Sequence, residues 1–283
     1  MHDDSRIRRN IVSVLKYLVL IFGCLMVVIP LLVVFIGSFK SNTEFLSTGV
    51  FDLPSKLEFS NYKTAFVQGL VLQGLKNTLI MLVISCTLTV IIGSMCAFVI
   101  QRFKNTFGKI AKAMFLLATL LPSISMQVTV YGIVDAIHFG DWKLNGTIFA
   151  PILLYIGTDI ISIYIFMQFL DNISVSLDES AIMDGANYFT IYFKIILPLL
   201  KPAIATVLII KVIGVYNDFY TPQLYMPSDV VVSTSLYRFM GPYGAKWEII
   251  FAGVVICIIP TLIIFLTLQK YIYSGLVNGS VKE

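Results

Sequence analysis

The sequence predicts an all-α integral membrane domain that crosses the bilayer about six times, and composition, segmentation and charge placement each carry that reading. Of its 283 residues 58% are hydrophobic and 13% charged, with a mean hydropathy of +0.89. An ordinary soluble domain carries about 25% charged residues, and a soluble fold could not hide this much apolar surface. Apolar stretches occur at 17–37, 77–100, 113–134, 147–169, 202–222 and 249–269, each bounded by charges, prolines or polar turns. Each matches the ~20 residues needed to span a hydrocarbon core of about 30 Å. With the amino terminus in the cytoplasm, 12 basic residues fall inside: Arg6, Arg8, Arg9, Lys16, Arg102, Lys104, Lys109, Lys112, Lys194, Lys201, Lys270 and Lys282. Only 7 fall outside (Lys40, Lys56, Lys63, Lys76, Lys143, Arg238, Lys246). The positive-inside rule therefore predicts both termini in the cytoplasm.

Residues 1–16 form a basic cytoplasmic start. The apolar run that follows, Tyr17 to Gly37, is too long for a cleaved signal and lacks a small-residue cleavage site, so it is expected to remain as the first span. Pro30, Pro122, Pro151 and Pro260 fall inside predicted spans, where membrane helices tolerate them as kinks. The connecting loops 38–76 and 223–248 are long enough to pack on the outer face and receive a protein partner. Cys24, Cys86, Cys96 and Cys257 all lie in apolar runs without CxxC spacing or neighbouring histidines, which reads as small buried hydrophobes rather than disulfides or metal ligands. The formal charge of +4 is scattered over loops, which argues against nucleic-acid binding. With His2 and His138 as its histidines, the chain offers no acid/base or metal cluster, and no Gly-x-x-x-x-Gly-Lys-Ser/Thr phosphate loop occurs.

The segment between the fourth and fifth spans, 171–201, is more structured than a connector requires. Ser176 followed by Glu179 has the spacing of a capping box, Asp178 adds charge to the same turn, and Gly185 suits a left-handed exit, so a short helix is predicted near 177–184. Tyr188, Phe189, Tyr192, Phe193, Ile195 and Ile196 then give an aromatic amphipathic run lying on the membrane surface, with Pro198 turning the chain into the fifth span. From helix signals alone, an interfacial turn and a docking element fit equally.

The residues themselves separate these readings. Glu179-Ser-Ala181-Ile-Met-Asp184-Gly185-Ala186, with Phe193, Ile196, Leu197-Pro198 and Pro202, resembles the EAA loop of ABC importer permeases, with Ser180 where the second alanine is usual. Tyr216-Asn217-Asp218-Phe219, Pro222, Tyr225, Thr234, Gly241-Pro242-Tyr243-Gly244, Trp247, Ala252-Gly253, Pro260 and Gln269-Lys270-Tyr271 are similar to carbohydrate permeases of the maltose-transporter type. Arg102-Phe103 and the tail within 270–283 agree with that family too, with Ser280 where alanine is commoner.

The resemblance implies a type I ABC importer transmembrane domain in the bacterial cytoplasmic membrane. Such a subunit forms a heterodimer with a second, related permease and works with two ATPase subunits and an extracytoplasmic sugar-binding protein. ATP and Mg belong to those ATPases, and this chain is implied to hold no cofactor. Its EAA helix would sit in an ATPase cleft: Leu177, Ala181 and Ile182 as the apolar plug, Asp178, Glu179 and Asp184 as polar contacts, Gly185 as the turn. Alternating access about a midplane site follows from such rocking.

Residues of the substrate path are less constrained. Asp159 and Lys211 are ionisable groups within spans, which either face a wet cavity or pair as structural links, or Lys211 snorkels. Tyr216, Asn217, Asp218 and Tyr220 combine aromatic faces with amide and carboxylate groups suited to a sugar, and the tyrosines equally suit an interfacial belt. Gln127 and Tyr131 are further candidates of the same kind. An ion-coupled carrier, an intramembrane enzyme and an ABC permease for another solute stand as the rival functions.

Overall fold

The computed structural model describes residues 2–103, 106–121, 126–157, 159–241 and 244–280. Lys104, Pro122, Pro242, Tyr243 and Lys282, which the sequence reading used, lie outside the described residues.

The chain is built from helices α1 (His2–Gly37), α2 (Asn42–Ser47), α3 (Ser60–Gln68), α4 (Val71–Arg102), α5 (Thr106–Leu120), α6 (Gln127–Ala136), α7 (Phe149–Gly157), α8 (Ile160–Leu170), α9 (Ser176–Met183) and α10 (Tyr188–Ile191). A π-helical segment Tyr192–Ile196 leads into α11 (Leu197–Leu199), α12 (Lys201–Asn217), α13 (Tyr220–Tyr225), α14 (Val232–Ser235) and α15 (Trp247–Ser280). Two small antiparallel hairpins, β1 (His138–Phe139) with β2 (Trp142–Lys143) and β3 (Met240–Gly241) with β4 (Gly244–Ala245), interrupt them.

Among the described residues, Val12–Gly37 and Val71–Arg102 are each long and apolar enough to cross a membrane singly, and the number rises to four if each of two bent pairs is one span: α7 with α8, bent by 40°, and Tyr188–Leu199 with α12, bent by 72°. The expected span 147–169 is thus two helices, and the expected span 202–222 ends at Asn217, with α13 a separate piece. The turn into α12 falls at Leu200, not at Pro198, which lies inside α11. Pro202 explains this: it has no N–H for an intrahelical bond, so it suits the first turn of a new helix. Pro151 likewise sits in the first turn of α7, whereas α1 and α15 run on through Pro30 and Pro260.

Two compact units are present, one comprising Met1–Val71 and Leu236–Thr261, the other Leu72–Ser235 and Leu262–Glu283. In the first, the apolar side chains of α1 from Val12 to Leu32 are exposed on every face, the pattern of a lipid-facing helix. Its end is tied by polar contacts: Asn61 Nδ2 donates to the carbonyls of Ser38 (2.9 Å) and Lys40 (2.8 Å), and Lys40 Nζ donates to Thr48 Oγ1 (2.9 Å) and the Gly49 carbonyl (2.7 Å).

In the second unit, Ala97, Phe98 and Ile100 of α4 bury with Phe166, Met167 and Leu170 of α8, and with Ile191, Tyr192, Ile196, Leu200, Ala203 and Val207. At the other end of α4, Thr78 Oγ1 accepts the Val232 N–H (3.0 Å) and Asn77 Nδ2 donates to the Val230 carbonyl (2.8 Å). A side chain in place of Gly74 would meet the backbone of Val231 at 3.0 Å, so glycine permits this close approach.

Candidate functional site

Between α8 and α10 the chain makes a turn and then α9. Ser174 caps this helix: its Oγ accepts the Ser176 N–H at 3.2 Å, and the first backbone bonds run from Leu177 to the Ser174 carbonyl and from Asp178 and Glu179 to the Val175 carbonyl. The capping box expected at Ser176 and Glu179 therefore does not form. The helix begins earlier than the Ser-x-x-Glu pattern implies, which places Ser176 inside it. Asp178 and Glu179 still lie in the first turn, where their charge meets the positive end of the helix.

At the other end, the Ala186 N–H donates to the Ala181 carbonyl (2.9 Å) and the Gly185 N–H to the Ile182 carbonyl (2.9 Å). These are the two bonds of a Schellman motif, with Gly185 at φ +81°.

The two faces of α9 differ. Asp178, 6% exposed, and Ala181 turn inward. Arg102 Nε meets Asp178 Oδ2 at 2.7 Å, while Arg102 Nη2 donates to the Ile173 carbonyl at 3.0 Å. Burial pushes the Asp178 carboxyl above its usual range, and the Arg102 charge opposes that shift in part. Leu177, Glu179, Ile182, Asp184 and Gly185 are exposed, as are Val175 and Met183, the latter 88% exposed. Val175 and Met183 were missed by the sequence reading, although an unpaired apolar residue at either end of so short a helix was the available signal. An exposed surface of Leu, Ile, Met and Val flanked by two carboxylates is suited to a mixed apolar and basic partner.

The segment 188–196 divides as an amphipathic run should: Ile191, Tyr192 and Ile196 are buried, and Tyr188, Phe189 and Phe193 exposed. The Tyr192 hydroxyl shares a hydrogen bond with Ser94 Oγ at 2.6 Å.

Deeper in the same unit, Asp159 and Lys211 come together: Lys211 Nζ lies 2.8 Å from Asp159 Oδ2, both side chains 12% exposed. The break between α7 and α8 explains why. Where a helix stops, its last carbonyls and the first N–H groups of the next lose their partners. Lys211 Nζ donates to the Tyr155 carbonyl, and Asp159 Oδ1 accepts the Ser162 N–H at 3.2 Å. The ion pair thus closes both ends of the break.

Tyr155, which sequence reasoning passed over as part of an apolar run, donates its hydroxyl to Asp218 Oδ2 (2.9 Å), and Asp218 Oδ1 accepts the Thr221 N–H (3.2 Å) at the start of α13. Asp218 therefore caps a second break, after Asn217. Asn217 Nδ2 donates to the Ile213 carbonyl and Tyr216 is buried. Gln127 and Tyr131 meet at Tyr225: the Tyr225 hydroxyl donates to Gln127 Oε1 (3.2 Å), and the Tyr131 and Tyr225 rings lie 5.7 Å apart. Tyr220 is exposed. Among the described residues no group of three or more His, Cys, Asp or Glu is placed to hold a metal.

Comparison with known proteins agrees with this arrangement. The family described as binding-protein-dependent transport system inner membrane component matches residues 89–277, which contain α9, the ion pair and both helix breaks. The chain is 30% identical to the probable starch degradation products transport system permease protein AmyC of Thermoanaerobacterium thermosulfurigenes, over 96% of this chain and 99% of that one. It is 30% identical to the galactooligosaccharides transport system permease protein GanQ of Bacillus subtilis, over 100% of both. Its fold matches a chain in the crystal structure of a bacterial ABC transporter involved in the import of the acidic polysaccharide alginate, with a TM-score of 0.75, 21% identity, and coverage of 93% and 96%. A mostly helical chain with the type I importer fold, matched along its whole length by permeases, leads to one assignment: it belongs to the binding-protein-dependent transport system inner membrane component family.

Proposed function

We propose that this chain is the permease subunit of an ATP-driven carbohydrate importer in the bacterial cytoplasmic membrane, with an oligosaccharide as cargo. It crosses the membrane six times with both termini in the cytoplasm. It supplies half of the translocation path, paired with a second, related permease, and works with two ATPase subunits and an extracytoplasmic sugar-binding protein. The chain performs no chemistry itself, and ATP with its Mg is bound by the ATPases.

The observation that carries the reading is α9, an eight-residue helix fixed at both ends and by an inward ion pair, yet presenting Leu177, Glu179, Ile182, Met183 and Asp184 outward. A helix that is rigidly held and apolar on its free side is built to fit a groove. Nucleotide-driven closure of the ATPases moves α9, and the spans follow between inward- and outward-facing states. The similarity to AmyC and GanQ, named as permeases for starch degradation products and for galactooligosaccharides, supports sugar as cargo. Gln127, Tyr131, Tyr220 and Asn217 then line the path, their rings meeting apolar sugar faces and their amides the hydroxyls. Asp159, Lys211 and Asp218 shape it by fixing the helix breaks.

The test is purification of the whole transporter with Glu179→Lys in this chain. The substitution is expected to release ATPase subunits or abolish binding-protein-stimulated hydrolysis, by analogy with the 2 kcal/mol or more that truncation of an interface hot spot typically costs. Full assembly and coupling in that variant would exclude the docking role. Uptake driven by an ion gradient without any ATPase would exclude the importer reading altogether.

A further inference from the structure

The covalent chain joins α9 to α8 and to α10, but α4 meets it only through space. We propose that Arg102 is the positioning residue that fastens α9 to the end of α4, so that displacement of α9 is delivered to α4 directly. This rests on the reading of α9 as the ATPase-docking helix.

Arg102 is the last residue of the 32-residue α4. Its guanidinium holds two separate points of the opposing segment, the Asp178 carboxylate within α9 at 2.7 Å and the Ile173 carbonyl ahead of it at 3.0 Å. Both charged side chains are buried, 8% and 9% exposed. The neighbours of Arg102 extend the attachment: Gln101 Nε2 donates to Asp171 Oδ1 before α9, and the Phe103 ring packs 4.8 Å from Tyr188 after it. Three successive residues of one helix end thus grip the loop ahead of, within and beyond α9.

The middle contact is the charged one. A buried ion pair adds little net stability over an apolar pair of the same volume, because desolvation offsets the attraction. What the guanidinium supplies is an ion pair to one point and a hydrogen bond to another from a single planar group, which an apolar contact does not. A tie of that kind holds a spacing while the parts on either side move.

The experiment measures that spacing in the assembled transporter. Nitroxide labels at Val99 and at Ser176, the exposed first residue of α9 and outside its docking residues, report the distance between the end of α4 and α9 by pulsed electron resonance, without nucleotide and trapped with ATP and vanadate. In the parent protein one narrow distance is expected in both states. In Arg102→Met the distance is expected to broaden and to differ between states. Binding-protein-stimulated ATPase is expected to fall about tenfold, within the range typical of coupling between sites. Arg102→Met/Asp178→Leu keeps the site apolar and free of an unpaired charge, so it carries the same test if the single variant fails to fold. A double variant with the parent distance in both states and the parent stimulation would overturn the tie, provided Glu179→Lys releases or uncouples the ATPases. ATPases both retained and fully stimulated in Glu179→Lys would overturn the docking reading and the tie with it.

Discussion

Replacing Lys211 by methionine tests whether the ionisable pair within the spans is structural. Methionine keeps the length and apolar stem of the side chain and removes the ammonium. At 2.8 Å and an effective dielectric near 20, the attraction to Asp159 is roughly 6 kcal/mol, largely offset by the desolvation of both groups. Removing one partner does not return that desolvation, because Asp159 stays buried with the Ser162 N–H as its partner and the Tyr155 carbonyl loses its donor. The expected loss is about 3–5 kcal/mol, a fall of roughly 6–20 °C in the unfolding midpoint. Asp159→Asn together with Lys211→Met removes the stranded charge and keeps an oxygen for Ser162. What remains is an orphaned carbonyl at about 1–3 kcal/mol, so the double variant is expected to recover part of the single variant's loss. Heating purified protein in detergent and following the monodisperse fraction by fluorescence-detected size exclusion reads both. A single variant as stable as the parent, or a double variant no better than the single, would refute the closure of the helix break by this pair.

Gly185→Ala isolates the left-handed exit of α9, because a β-carbon there meets nothing within 4 Å and the cost is the backbone conformation alone. A loss of about 1–2 kcal/mol is expected, with Gly185→Asn losing less, checked by the same midpoint. Two carboxylates give opposite pH dependence. Glu44 is held below its ordinary value of 4.5, first by the Ser55 backbone N–H, so its contribution is present above the unfolded value and is lost as pH falls through its lowered one. Asp178 is raised above its ordinary 3.8 by burial, so its contribution is present below the unfolded value and is lost as pH rises through its raised one. Midpoints measured from pH 3 to 7 are expected to show Glu44→Gln flattening the acid-side loss and Asp178→Asn removing the opposing trend.

The apolar runs made the helices legible because hydrophobic length is a property of composition alone, and Gly185 was legible because few residues accept a positive φ. The breaks were not. Tyr155, Gly157 and Asp159 sit in an otherwise continuous apolar stretch, and whether an aspartate there faces a cavity, a lysine or a helix end depends on a partner 52 positions away, Lys211. Nor was the direction of Asp178 readable. Over eight residues α9 carries apolar groups on both faces, so periodicity does not choose which carboxylate turns inward, and Arg102 lies at the end of a different span. Ser174 was overlooked because it lacks the Glu three residues on that marks a reciprocal box, although a serine oxygen alone suffices to cap.

Tyr155 offers the sharpest separation between the two helix breaks. Its carbonyl serves the first through Lys211, and its hydroxyl serves the second through Asp218 at 2.9 Å. Tyr155→Phe deletes the second contact and leaves the first, since the carbonyl belongs to the backbone. Loss of a hydrogen bond to a charged group is expected to cost about 1.5–3 kcal/mol, while Asp218 keeps its bond to the Thr221 N–H. If the breaks are joined only through this side chain, amide exchange speeds up at Thr221 and along α13 while Ser162 and α8 keep the parent rate. Lys211→Met gives the complement, with faster exchange at Ser162. Equal acceleration of both segments in Tyr155→Phe would mean that the breaks open as one unit. No change at Thr221 would mean that Asp218 fixes the second break without help from α7.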